Sequence, residues 1–326
     1  MPAEIVCCVG GGYCEAKNFF LKQLTRVLSE IKIPLNSWKG VVSSNFVFAQ
    51  GKELFVLGTP RFNPLEKKET EEKLLENLRN FRTAVIIGGD DTLKVAKYIH
   101  EQGFSVIGVP ATIDNNLNVQ CCLGYDSAVE KGTEIAQGIL QLAMAHRRHY
   151  FLEVLGRRQG WIAYGIAKNL NFPVILGEFP ESKEMTFELI KNKEYSVTIV
   201  AENFTETEIQ SEKILRDEIG NPLLRSSQIS QKIAQEFAEK GLETRAIQGG
   251  DILRIHLSRI DREISLILTK EIQRKISQND SGFVLEVDQK LKGIRKKSFS
   301  ETLKEKFVPP DLVKEHFQKI EKSDEK

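Results

Sequence analysis

Val85-Ile86-Ile87-Gly88-Gly89-Asp90-Asp91-Thr92 changes character at Gly88. Three apolar residues that suit a buried strand give way to two glycines and then to a helical pattern over 92–102. A strand that ends in Gly-Gly and opens into a helix is the turn of an open α/β sheet, where ligands collect at the carboxyl ends of the strands. Without side chains at 88 and 89, a phosphate can approach the N–H groups of the helix start. A carboxylate inside such a cradle makes sense when a divalent cation lies between it and the phosphate, so Asp90 is a candidate Mg2+ ligand. Gly89, Asp91 and Thr92 complete the candidate phosphate loop. The same residues would also serve a tight turn with Asp as helix cap, and Gly249-Gly250-Asp251 is a second copy of the pattern.

Outward from this stretch, short apolar runs at 5–9, 53–57, 83–87, 106–109, 150–155, 173–176 and 197–201 read as strands. Helical patterns at 18–31, 66–81, 92–102, 127–145 and 228–240 alternate with them, and Pro309-Pro310-Asp311 opens a last short helix with a frayed end at 323–326. The rhythm predicts an α/β fold with helices on both faces of its sheets. Gly10-Gly11-Gly12, Gly58-Thr59-Pro60-Arg61, the 110–116 stretch and Gly156-Arg157-Arg158 each follow a predicted strand as well. The charged 210–222 segment reads as a surface excursion, and Arg295-Lys296-Lys297 as a solvated turn.

The 326 residues suit two domains, and Lys+Arg 46 against Asp+Glu 45 leaves a net charge of +1. Near neutrality gives no overall electrostatic case for a nucleic-acid partner, so an anion site must be local. No apolar run reaches the ~18 residues of a membrane span, which leads us to expect no membrane partner and a cytoplasmic protein. The five cysteines, Cys7, Cys8, Cys14, Cys121 and Cys122, show no CxxC spacing and read as thiols in a reducing compartment.

Thr112-Ile113-Asp114-Asn115-Asn116 packs a hydroxyl, a carboxylate and two amides behind a predicted strand and Pro110. Alone it could be an Asx-turn loop. Paired with the acidic phosphate loop upstream, it suits the acceptor side of phosphoryl transfer, with Asp114 taking the proton of an attacking hydroxyl.

The ordered series 88–92, 110–116, Arg148, Glu153-Val154-Leu155-Gly156-Arg157 and Glu243-Thr244-Arg245 resembles the phosphofructokinase family over nearly the whole chain. The resemblance implies two doubly wound α/β domains with mostly parallel sheets and the active site between them. It also implies Mg2+-dependent phosphoryl transfer to the 1-hydroxyl of fructose 6-phosphate, from pyrophosphate or ATP. Its domains would be 1–125 plus about 253–303 for the donor, and 126–252 plus about 304–326 for the sugar phosphate. Residue by residue, Gly12 and Arg61 would hold donor phosphates, and Asp90 would serve the metal. Thr112, Asp114 and Arg157 would be catalytic, with Asp114 the base. Glu202 would bind the sugar hydroxyls, and Arg148, Arg245 and Arg254 its phosphate, beside Asp251. Arg148 and Arg245 would come from a neighbouring subunit, which implies a homo-oligomer, a dimer or tetramer.

Departures accompany the resemblance. Family members usually have Asp where this chain has Asn116, and His where it has Asp251, and the loop Gly10-Gly11-Gly12-Tyr13-Cys14-Glu15-Ala16-Lys17-Asn18 lacks the usual Asp and Pro-Gly. Asp91 is typical of pyrophosphate users, because a carboxylate there repels the α-phosphate of ATP. Ala111 stands where those enzymes usually carry Lys. Pyrophosphate is therefore the favoured donor, with ATP the alternative. A catalytically impaired regulatory paralogue, or an NAD-kinase-like or lipid-kinase-like enzyme built on the Gly-Gly-Asp loop, are the competing readings.

Overall fold

The computed structural model describes residues 5–28, 31–48, 53–204 and 228–324. The charged 210–222 segment lies outside them. The described chain divides into two compact units: 1–113 with 117–126 and 256–305, and 114–116 with 127–255 and 306–326.

Unit 1 is built on a seven-stranded sheet. Its strands are β1 (Ile5–Val9), β2 (Ile31–Pro34), β3 (Phe46–Phe48), β4 (Thr83–Gly88), β5 (Val106–Pro110), β10 (Phe283–Val287) and β11 (Ile294–Lys297). The order across the sheet is β11-β10-β5-β4-β1-β2-β3, parallel except for the two edge strands. β1, β4 and β5 are buried along their whole length, as continuous Val/Ile runs require when helices cover both faces. Helices Glu15–Val27, Asp90–Glu101 and Arg259–Ser277 supply that cover. Val6, Ile86, Leu93, Ile99 and Val284 belong to its core.

Unit 2 carries a four-stranded, wholly parallel sheet in the order β7-β8-β6-β9: β6 (His149–Val154), β7 (Val174–Ile175), β8 (Ser196–Ala201) and β9 (Thr244–Gln248). Helices Trp161–Leu170 and Ile229–Glu239 pack on it. Phe151 and Phe237 meet edge to face at 5.2 Å in the core that also holds Ile175, Val200 and Phe204. Both units are thus α/β with mostly parallel sheets.

Two local expectations are corrected. Residues 53–57 do not form a strand: Leu54–Leu57 is one helical turn that buries Leu54 and Leu57 at i,i+3 spacing and leaves Phe55 and Val56 exposed. Arg295-Lys296-Lys297 is the edge strand β11, antiparallel to β10, where exposed cations guard an open sheet edge. Helix Pro310–Asp324 runs through Ser323, whose hydroxyl donates to the Ile320 carbonyl, so the fraying expected from 323 does not occur there, and residues 325–326 lie outside the described residues. Among the described residues, no helix is long and apolar enough to cross a membrane.

Candidate active site

In unit 1 the chain leaves β1 for β2 on one side, then returns to the other side of β1 with β4 and β5. This reversal falls between β1 and β4, so the loops after these two strands flank the crevice where open α/β sheets bind ligands. They are Gly10-Gly11-Gly12 and Gly88-Gly89-Asp90-Asp91-Thr92. The ladder continues past the strand ends, with Gly10 N–H donating to Ile87 O and Ala111 N–H to Gly88 O, both at 2.9 Å. Gly11 and Gly12 have φ of +77° and +81°, a region that favours glycine. Thr92 is buried, and a Cβ on Gly10 or Gly88 would lie 2.4 to 2.5 Å from its side-chain atoms. It wedges the two loops together at a distance only glycine permits.

Gly89, not an aspartate, is the N-cap of helix Asp90–Glu101, which puts Asp90 and Asp91 in the first turn and leaves their carboxylates partly exposed. Lys94, one turn on, approaches Asp90 at 3.7 Å and Asp91 at 3.5 Å. Acidic groups at a helix start are favoured by its dipole, and the lysine offsets the charge that two neighbouring carboxylates build up. Thr112 follows β5, and its Cβ lies 3.3 Å from where a Gly89 Cβ would be. Arg61 is exposed in the loop after Leu54–Leu57.

In unit 2, β6 lies between β8 and β9, so the loops that follow these three parallel strands share one sheet edge. Glu202 follows β8 directly and is buried. Its Oε1 accepts the backbone N–H of Gly156 at 2.9 Å and of Arg157 at 2.6 Å, both in the loop after β6. Arg157 is held at φ +50°, a conformation that costs a non-glycine residue about 1–2 kcal/mol. Its Nε lies 3.8 Å from Oδ2 of Asp114, which is 6% exposed. Burial pushes the Glu202 carboxyl up to about 7; the two N–H bonds pull it down, and the charges of Asp114 and Glu153 add to the rise. Asp114, Arg157 and Glu202 therefore come together. The Asn116 Oδ1 is buried and has no hydrogen-bond partner among the described residues.

The four remaining residues separate into two groups. After β9, Arg254 Nε donates to Asp251 Oδ1 at 3.0 Å within the one-turn helix Gly250–Arg254. Asp251 is largely exposed and Arg254 mostly covered. Arg148 and Arg245 instead lie at the starts of β6 and β9, about 20 Å along the strands from Arg157. Both approach Glu243: Arg148 Nε at 3.0 Å without directing its N–H at the carboxylate, and Arg245 at 3.8 Å. Within one chain the three arginines do not form one pocket.

Three residues have roles that the sequence reading did not assign. Lys17 and Lys94 could have been flagged by spacing, since one lies five residues past the glycine triplet and the other at i+3 and i+4 from the aspartates. Glu153, an acid in an apolar strand, accepts both the N–H (3.0 Å) and hydroxyl (2.8 Å) of Ser230 at the start of helix Ile229–Glu239. Its partner is remote in sequence, so no local signal marks that role. None of the five cysteines forms a disulfide, and burial pushes the Cys7 and Cys8 thiols up, away from reactivity.

A family model described as "Phosphofructokinase" matches residues 5–272. The chain is 31% identical over 276 residues to a "Pyrophosphate--fructose 6-phosphate 1-phosphotransferase" of Amycolatopsis methanolica, covering 80% of this chain and 79% of the relative. It is 29% identical over 224 residues to an "ATP-dependent 6-phosphofructokinase" of Corynebacterium efficiens, covering 61% and 64%. Among solved structures, a pyrophosphate-dependent phosphofructokinase from Marinobacter aquaeolei superposes with a TM-score of 0.72 at 18% identity, over 98% of this chain and 91% of that one. The phosphofructokinase of Saccharomyces cerevisiae gives 0.75 at 17%, over 99% of this chain and 47% of that one. These two likenesses establish the fold.

Proposed function

Since this chain belongs to the phosphofructokinase family, we propose that it transfers a phosphoryl group to the 1-hydroxyl of fructose 6-phosphate, the glycolytic step that yields fructose 1,6-bisphosphate. The observation that carries this reading is the Asp114–Arg157–Glu202 constellation, a buried carboxylate beside a guanidinium and a second carboxyl that keeps one oxygen for a sugar hydroxyl. Asp114 accepts the proton of the 1-hydroxyl as it attacks. Arg157, fixed at φ +50° by Glu202, counters the negative charge on the group in flight. Thr112 lines the phosphate loop, and the N–H groups beside Gly12 and Gly89, with the exposed Arg61, bind the donor.

Asp90 and Asp91 fit Mg2+, a hard cation that takes one or two carboxylates and fills its shell with phosphate oxygens and water. Bound there, Mg2+ would offset charge on the donor phosphates. Asp91 favours pyrophosphate over ATP, and Lys94 supplies a cation that Ala111 does not. Arg254 binds the 6-phosphate. Arg148 and Arg245, at the opposite sheet edge, serve a second copy of the chain, so the active form is a homo-oligomer.

A coupled assay of purified protein with fructose 6-phosphate, Mg2+ and either pyrophosphate or ATP tests the reading. Turnover with pyrophosphate above that with ATP supports it in full; the reverse order overturns only the donor preference.

A further inference from the structure

Lys17 stands in the first turn of helix Glu15–Val27, yet it is 2% exposed, an unusual position for a lysine. Its ammonium reaches back to the glycine triplet. Nζ donates to the carbonyl oxygens of Gly10 at 2.9 Å, Gly12 at 3.1 Å and Gly11 at 3.4 Å. In a planar trans peptide the carbonyl and the N–H point in opposite directions. Three successive carbonyls gathered on one cation therefore turn the N–H groups of Gly11, Gly12 and Tyr13 away from it. Among the described residues these three N–H groups donate to no acceptor. Successive N–H groups that face one way make an anion-binding nest, and a cation behind them adds to the attraction. A Cβ on Gly12 would meet nothing within 4 Å, so the loop borders open space.

We propose that Lys17 is a positioning residue for the phosphoryl donor: its buried ammonium gathers the carbonyls of Gly10-Gly11-Gly12 and thereby aims the N–H groups of residues 11–13 at a donor phosphate. The proposal rests on the reading of this loop as the donor site. It gives the chain its own means of shaping a loop that lacks the Asp and Pro-Gly expected there.

Lys17→Met keeps the stem and removes the charge and donors. Lys17→Met is expected to raise the Michaelis constant for the phosphoryl donor at least tenfold and leave that for fructose 6-phosphate within twofold, a split that general loosening of the fold would not give. Calorimetry with inorganic pyrophosphate reads the same loss without turnover. Equal donor constants and equal pyrophosphate affinity in both proteins would overturn the proposal while leaving the proposed reaction intact. Binding of pyrophosphate that Lys17→Met weakens, in a wild type with no activity on fructose 6-phosphate, would support Lys17 and refute the reaction. Hydrogen exchange on the wild type covers a variant that does not fold: pyrophosphate should slow exchange of the amides of residues 11–13, and unchanged exchange would overturn the proposal.

Discussion

Replacing Glu202 by Gln should stabilise unit 2 at neutral and alkaline pH. Glu202 is buried, its carboxyl rises from 4.5 to about 7, and its Oε1 holds two backbone N–H groups that an amide oxygen can hold equally well. Below pH 4.5 the carboxyl is protonated in the folded and unfolded chain alike, and the neutral form carries no penalty. Between pH 4.5 and 7 the folded chain retains a proton that the unfolded chain has released, so stability falls as pH rises. Above pH 7 the loss is complete, at about 3 kcal/mol for this gap at ~1.4 kcal/mol per pH unit. Glutamine does not titrate and removes that slope. Denaturant unfolding read from Trp161 in unit 2, in a Trp38→Phe background, should show the variant gaining about 3 kcal/mol on its parent between pH 4.5 and 8. A stability difference independent of pH would refute the assignment of a raised, buried carboxyl. The same variant should bind fructose 6-phosphate more weakly if the second oxygen receives a sugar hydroxyl.

Asp114→Asn should cut turnover by about 10²-fold to 10⁴-fold without lowering the melting temperature by more than a few degrees, because the amide is nearly isosteric and a poor base; turnover like wild type would remove Asp114 from the mechanism. Asp91→Gly should improve kcat/KM for ATP relative to pyrophosphate by tenfold or more, given ~4 kcal/mol for two charges about 4 Å apart at an effective dielectric of 20, reduced by Lys94; an unchanged ratio would exclude Asp91 from donor choice. Asp251→His releases Arg254 from its 3.0 Å partner and should lower the Michaelis constant for fructose 6-phosphate severalfold, whereas no change would leave Asp251 a loop residue. Arg245→Ala should raise that constant with little effect on the donor's, and an equal constant would argue against a pocket completed by a second copy.

What the sequence discloses is whatever depends on near neighbours. β1, β4 and β5 are legible because each is a run of apolar residues closed by glycine or proline, and their order with the intervening helices gives the α/β class. β10 is as buried as these, yet Glu286 interrupts its apolar run; that carboxylate accepts from Gln120 N–H, 166 positions away in the chain. β11 reads as a turn since its basic residues reveal their role only against β10. The 53–57 error has the same origin, four apolar residues in a row being equally compatible with a strand and a helical turn. At the site, residue identity marks Asp90, Asp114 and Arg157. The bond from Arg157 N–H to Glu202, the pairing of Asp251 with Arg254, and the split of Arg148 and Arg245 from the other edge are matters of folding that no local pattern encodes.

The most direct measurement is the formation of fructose 1,6-bisphosphate by purified chain from fructose 6-phosphate and pyrophosphate with Mg2+, run beside Asp114→Asn. Mg2+-dependent product formation by the wild type, lost by about 10²-fold or more in the variant, is the predicted result. No product with either pyrophosphate or ATP, from protein that is folded and binds fructose 6-phosphate, would contradict it.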